Sequence, residues 1–140
     1  MTKDNDESIY EITKHGTKLW KNKYRMFHRT DGPAIEHSNG DKFWCVNGNY
    51  HRTDGPAIEF VGESKSWYVD GTLHRLDGPA IEYADGSKDW WVDGKRHRTD
   101  GPAVERINGS KEWYIDGIEL TEEEFKYWSK DLVMFKLTYS

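Results

Sequence analysis

The chain has one cysteine, Cys45, and no second thiol for it to pair with. An intramolecular disulfide is excluded, and so is a zinc site resting on two cysteines. Proline is nearly as scarce: Pro33, Pro56, Pro79 and Pro102 are the only four in 140 residues. Long apolar runs are missing. None exceeds four residues, whereas a membrane-crossing helix needs about 20. A surplus of positive charge is missing too, since 20 Lys and Arg stand against 25 Asp and Glu for a net −5. That balance argues against a chain made to neutralise phosphate backbones. The opening stretch, MTKDNDESIY, is polar and acidic, so neither a secretory signal nor a transit peptide fits. The length suits one domain, and the setting expected is reduced and cytoplasmic.

What the chain has is aromatic residues, 7 Trp, 8 Tyr and 5 Phe, and a repeat. His28, His51, His74 and His97 are 23 apart, as are the four prolines, and so are Trp44, Trp67, Trp90 and Trp113. The repeat reads H-R-x-D-G-P-A-[IV]-E-x-x-x-G-x-K-x-W-x-[VI]-[DN]-G-x-x. Four full repeats span 28–50, 51–73, 74–96 and 97–118, after a degenerate half-repeat over 9–27 that keeps Gly16-Thr17-Lys18-Leu19-Trp20. Atypical terminal repeats are expected where a solenoid must end.

Each repeat predicts a hairpin. Asn39-Gly40, Asp85-Gly86 and Asn108-Gly109 read as two-residue type I′ turns, and Gly62-Glu63 as a type II′ turn. That register sets Ile35 opposite Trp44, Ile58 opposite Trp67, Ile81 opposite Trp90 and Val104 opposite Trp113. Val46, Val69, Val92 and Ile115 share the tryptophan parity, so this face is the expected core. A stack of identical repeats needs an even number of chain reversals. Two strands per repeat are therefore expected, roughly 33–37 and 42–46, joined by G-x-x-H-R-x-D-G. After the last repeat, Thr121 and Glu124 form a capping box, with Leu120 and Phe125 as a hydrophobic staple. Phe125, Trp128 and Leu132 recur at helical spacing, which predicts a helix over 121–135. The expected fold is all-β: an elongated antiparallel meander or solenoid of about 8–10 short strands, MORN-like, with a C-terminal capping α-helix over 119–140. Residues 1–8 are expected to be loosely ordered, and the repeat sheet to cover 9–118.

The repeat, closed by D-G-x-E-L-T-E-E-E-F, resembles a repeat common in small proteins of bacteriophages and large viruses. That family is itself similar to MORN repeats. Asp93-Gly94-Lys95-Arg96-His97 and Tyr83-Ala84-Asp85-Gly86 look like MORN segments, while Ser87-Lys88-Asp89-Trp90-Trp91 stands where MORN proteins carry Y-x-G-x-W. The resemblance implies a β-sheet scaffold, a viral genomic setting, and contact with protein or lipid.

An enzyme needs its acid, base or nucleophile once, not four times. The ladder of His28, Arg29, His51, Arg52, His74, Arg75, His97 and Arg98 therefore reads first as architecture, with the arginines pairing with carboxylates and the histidine rings bonding to carbonyls. Equivalent residues two strands apart, about 9.5 Å, are too distant to share a metal. No metal and no cofactor is expected. Function should lie where the repeats differ, on the face opposite the tryptophans: Tyr68, Trp91, Tyr114, Phe43, Glu82, Asp89, Glu105 and Glu112. Glu82 is expected to face Asp89, and Glu105 to face Glu112. Such a surface suits a non-enzymatic module that binds a host or viral protein, as a phage-encoded inhibitor or adaptor does. The alternative is a protein that grips a nucleotide or acidic lipid through the His-Arg ladder. Nucleic acid is disfavoured, a membrane partner follows only from the MORN resemblance, and self-association is compatible with either reading.

Overall fold

The computed structural model describes residues 8–128, 134 and 136–138. All but Ser8 of the segment expected to be loosely ordered, and Leu132 of the expected helical stripe, lie outside the described residues. The chain divides into two compact halves, meeting between Thr72 and Leu73. The N-terminal half contains β1 (Ile9–Ile12), β2 (Lys18–Lys21), β3 (Ile35–Glu36), β4 (Lys42–Phe43), β5 (Cys45–Val46), β6 (Asn49–Tyr50), β7 (Ile58–Glu59), β8 (Lys65–Ser66) and β9 (Tyr68–Val69), with β10 (Thr72–Leu73) at the junction. The C-terminal half contains β11 (Ile81–Glu82), β12 (Lys88–Asp89), β13 (Trp91–Val92), β14 (Lys95–Arg96), β15 (Val104–Glu105), β16 (Lys111–Ile115), β17 (Ile118–Leu120) and α1 (Glu122–Lys126). The fold is all-β, and each half is an antiparallel meander. The order is β1-β2-β3-β4-β7-β8 in the first half and β11-β12-β15-β16-β17 in the second, and neither run of strands closes on itself.

The strands outnumber the expectation because the second Asn/Asp-Gly signal is a hairpin in its own right. Asn47 and Gly48 both take positive φ, 49° and 83°, and β5 pairs with β6 across them, Cys45 with Tyr50 and Val46 with Asn49. Asp93-Gly94 between β13 and β14, and Asp116-Gly117 between β16 and β17, repeat this type I′ geometry. The bend that keeps the reversals even is therefore Asp-Gly-Pro, not this turn.

The first turn differs from the two-residue hairpin expected. Gly40 N–H donates to His37 O and His37 N–H to Asp41 O, both at 2.9 Å, and only Gly40 takes positive φ, at 101°. This is a three-residue loop, a type I turn closed by a left-handed residue that forms a bulge. Gly86 and Gly109 do the same. In the second repeat the left-handed residue is Glu63, at φ 72°, and Gly62 is not left-handed, so the type II′ expectation fails. An Asn-Gly pair serves either loop, but the extra loop residue slips the register by one. Ile35 therefore pairs with Phe43, Ile58 with Ser66, Ile81 with Asp89 and Val104 with Glu112.

The slip splits the expected core face, although Ile115, expected on it, is buried with Trp113 packed against it. The isoleucine column shares its side with Phe43, Ser66, Asp89 and Glu112, while the tryptophans fall on the other side. Trp44, Trp67, Trp90 and Trp113 are all half-buried. Among the described residues, Ala34, Ala57, Ala80, Ala103 and Val104 have no exposure. Each alanine follows the Asp-Gly-Pro bend and ties neighbouring strands; Ala34 N–H donates to Phe43 O, and Ala57 N–H to Ser66 O. A buried apolar cluster closes the C-terminal half: Ile115 and Leu120 are buried against Trp113, Ile118, Phe125 and Trp128. Thr121 caps α1 by accepting from Glu124 N–H at 3.1 Å, as the capping box predicts. The helix stops at Lys126 rather than running unbroken to Phe135. No helix among the described residues is long and apolar enough to cross a membrane.

Candidate functional site

One side of the meander carries alternating charge. Lys18 pairs with Glu36, Glu36 with Lys42, Lys42 with Glu59 and Glu59 with Lys65; in the C-terminal half Glu82 pairs with Lys88, Lys88 with Glu105 and Glu105 with Lys111. The expected clashes of Glu82 with Asp89 and of Glu105 with Glu112 are therefore absent. Opposite charges stand across each of these pairs, a favourable arrangement.

The H-R-x-D-G-P loops lie on this charged face, and their side chains are consumed locally. Arg52 donates from Nε to Asp54 Oδ1 at 2.9 Å, and from Nη1 to Pro56 O at 3.0 Å and Glu59 Oε1 at 3.1 Å. Its guanidinium lies 3.9 Å over the Trp44 ring. Arg98 repeats the set with Asp100, Pro102, Glu105 and Trp90. Arg29 does so with Asp31, Pro33 and Trp20, and lies 3.7 Å from Glu36. The glycine of Asp-Gly-Pro makes room for this cation: a Cβ on Gly55 would sit 2.9 Å from Arg52 Cζ. Hydrogen bonds from the arginines, and then their charge, hold the carboxyls of Asp31, Asp54, Asp77 and Asp100 below the ordinary aspartate value.

Each repeat histidine fastens the tip of the second hairpin. Nδ1 of His28, His51, His74 and His97 accepts the backbone N–H of Asn47, Asp70, Asp93 and Asp116 at 3.0–3.1 Å. The bond runs from N–H to ring nitrogen, the reverse of the ring-to-carbonyl bond expected, and the same Nδ1 of His51, His74 and His97 stands 3.0–3.2 Å from the carboxylates of Asp70, Asp93 and Asp116. Open clefts recur between successive loops. One, of about 620 Å³, is lined by Arg29, Asp31, Trp44, Val46, His51 and Arg52. Another, of about 570 Å³, is lined by Arg75, Asp77, Trp90, Val92, His97 and Arg98.

The opposite face differs between the halves. In the N-terminal half, Phe43 meets His37 at 5.3 Å, Phe60 at 5.7 Å and Tyr50 at 6.1 Å between ring centroids, and Tyr50 meets Tyr68 at 5.4 Å. Phe43 and Tyr68 are half-buried, while Phe60 is 43% exposed, Tyr50 37%, and the neighbouring Val61 61%. In the C-terminal half, Asp89 is 1% exposed and holds two arginines. Arg106 Nη1 reaches its Oδ1 at 2.7 Å and Arg96 Nη2 its Oδ2 at 3.3 Å. Arg96 also stands 5.4 Å from the rings of both Trp91 and Tyr114, and 3.7 Å from Glu112. Burial works against the charge on Arg106, but the bond and charge of Asp89 outweigh it and raise its pKa. Burial, then the charges of Glu112 and Glu119, push the Tyr114 phenol up.

No family model matches the chain, and no curated protein matches it.

Of the eight residues expected on the interaction face, the structure brings Phe43 and Tyr68 together through Tyr50, and gathers Trp91, Tyr114, Asp89 and Glu112 around Arg96. Glu82 and Glu105 are on the charged face, because the register slip moves them there. Asp89, at 1% exposure, is not a surface residue. Sequence reasoning missed His37, Tyr50, Phe60, Arg96 and Arg106. Aligning the first repeat pair with the second would have found them, since Tyr50 corresponds to Arg96 and Phe60 to Arg106. Burial pushes the Cys45 thiol up to about 11, which keeps it protonated near neutral pH.

Proposed function

We propose that this chain is a non-enzymatic interaction module that engages a protein partner through the aromatic side of its N-terminal half. The ring chain Tyr68–Tyr50–Phe43–Phe60, flanked by exposed Val61, carries this reading. Aromatic residues are the favoured anchors of protein interfaces, and a contiguous apolar patch on a small protein is a mark of contact. The resemblance of the repeat to phage and large-virus proteins extends the proposal to an inhibitor or adaptor that acts on a host protein in the host cytoplasm. The nucleotide or lipid alternative draws on the recurring clefts, but their arginines are already matched by carboxylates, a carbonyl and an indole, which favours the aromatic face.

The test compares variants on one immobilised-protein capture from host lysate. A partner retained by the wild-type chain should be lost with the Tyr50→Ser, Phe60→Ser double variant. It should be kept by Thr30→Ala, Thr53→Ala at the cleft mouth, and should respond little to salt. Capture that survives the aromatic change, falls with the cleft change and weakens steeply with salt hands the function to the His-Arg clefts.

A further inference from the structure

We propose that β1 is a docking edge for a second molecule of this chain, which adds strand to strand, antiparallel, across a twofold axis at Glu11. The backbone phase of β1 is fixed by its neighbour. Thr13 N–H donates to Thr17 O at 2.9 Å, and β1 pairs with β2 in the register that continues from it, Ile12 with Lys18 and Tyr10 with Trp20. Hydrogen-bonded pairs alternate in an antiparallel ladder. Ile9 and Glu11 therefore spend their backbone groups on β2, while Tyr10 and Ile12 turn theirs outward. Trp20 confirms the phase, because its N–H turns away from β1 to Ala34 O at 2.8 Å. Among the described residues nothing meets the outward N–H and C=O groups of Tyr10 and Ile12, and β1 ends the strand order.

The usual devices that blunt an edge are absent from β1. It has no proline, no lysine and no bulge, and Ile9, Tyr10 and Ile12 are 43%, 48% and 60% exposed. Its one charge, Glu11, is already engaged, at 2.8 Å by Lys21 and 3.2 Å by Arg25. Such a strand is a template for pairing.

Self-complementarity selects a second molecule as the occupant. With the axis at Glu11, Tyr10 of one molecule faces Ile12 of the other, twice, and the outward donors meet outward acceptors. An aromatic residue opposite a β-branched one is a favourable cross-strand pair. The two Glu11 carboxylates then face each other, but each brings a lysine and an arginine, so the crossing carries more positive than negative charge and the like-charge penalty is offset. Two four-residue strands bury less than a standard interface, so the dimer forms only at high concentration.

Sedimentation equilibrium of the full chain, from about 5 to about 500 µM, reads the outcome for an interface this small. The wild-type chain should move from monomer to dimer over that range. Ile12→Pro removes one outward donor and costs β2 nothing, because the Ile12 N–H is not used inside the ladder. It should weaken association at least tenfold with an unchanged far-UV spectrum. Tyr10 packs its ring 5.0 Å from Trp20, so the edge charge goes at the more exposed position: Ile12→Lys should do the same by repulsion and stands in should the proline variant fail to fold. A wild-type chain that stays monomeric throughout overturns the proposal. So does a dimer that neither variant weakens. A monomer that instead takes up an unrelated alternating Val/Thr peptide assigns the edge to a foreign strand and overturns it as well. None of these outcomes touches Tyr50 or Phe60, so the aromatic-face proposal stands or falls separately.

Discussion

The side opposite the charged ladder is filled in two chemistries, one in each half. Forty-six residues, two repeats, separate Phe43 from Asp89, Tyr50 from Arg96, Phe60 from Arg106 and His37 from Tyr83. The contacts match pair by pair. Phe43 touches Tyr50 and Phe60 as rings; Asp89 touches Arg96 and Arg106 as ions. His37 meets Phe43, and Tyr83 lies 5.4 Å from the Arg106 guanidinium. Even the support beneath is matched, since Asp41 accepts Val61 N–H at 2.8 Å and Ser87 accepts Ile107 N–H at 3.0 Å. A three-residue patch can thus be apolar or ionic on one backbone, provided its members change together. The charged face has no such freedom, because Arg, Asp, Trp and His there hold the repeat itself.

The sharpest way to break this equivalence is to remove the centre of each patch. Asp89→Ala removes a buried carboxylate from two arginines that are each about a third exposed, and should cost about 2–4 kcal/mol, below the range for a pair buried on both sides. Phe43→Ala, at a half-buried ring, should cost about 1–3 kcal/mol, below the range for a fully buried phenylalanine. Urea unfolding of the two variants gives the ranking, and equal losses would mean that the ionic patch is no more demanding than the aromatic one.

A smaller effect of opposite sign tests whether the patches are interchangeable. Replacing the triad together, Asp89→Phe with Arg96→Tyr and Arg106→Phe, transplants the first patch onto the second half. Exchanging a buried ion cluster for packed apolar groups should be neutral or stabilising by about 1–4 kcal/mol. Calorimetry checks it, and a triple variant less stable than Asp89→Ala alone would show that the two backbones are not equivalent.

The smallest effect lies in the turn beside the aromatic patch. Glu63 holds φ 72°, where its counterparts in the other repeats are glycines. Glu63→Gly should stabilise by about 0.5–1 kcal/mol by relieving a left-handed non-glycine residue. Gly40→Ala should do the reverse, since it strains φ and sets a Cβ 2.8 Å from Val61. Melting temperatures that move together would refute the loop assignment.

The period, the all-β class, the capping box and the separation of Tyr68, Trp91 and Tyr114 from Trp67, Trp90 and Trp113 were legible in the sequence, because each rests on spacing or alternation alone. The core face was not. Asn-Gly closes a two-residue and a three-residue loop equally well, and only the residue count of the loop decides which side chains share a side. Nor was the Arg-Trp stacking legible. It depends on the loop folding back over the strand, and the motif hints at it only through a glycine whose missing side chain leaves space for a guanidinium.

The Asp-Gly-Pro bend also bears on how such a chain changes length. Because each 23-residue segment leaves the chain heading and facing as it entered, the segment is a cassette that duplication or loss can add or subtract whole. Excising 51–73 would join Tyr50 to His74 and keep every later side chain on its present side. Excising one residue fewer would leave an extra residue that the His-Arg connection must absorb if the next hairpin is to keep its register.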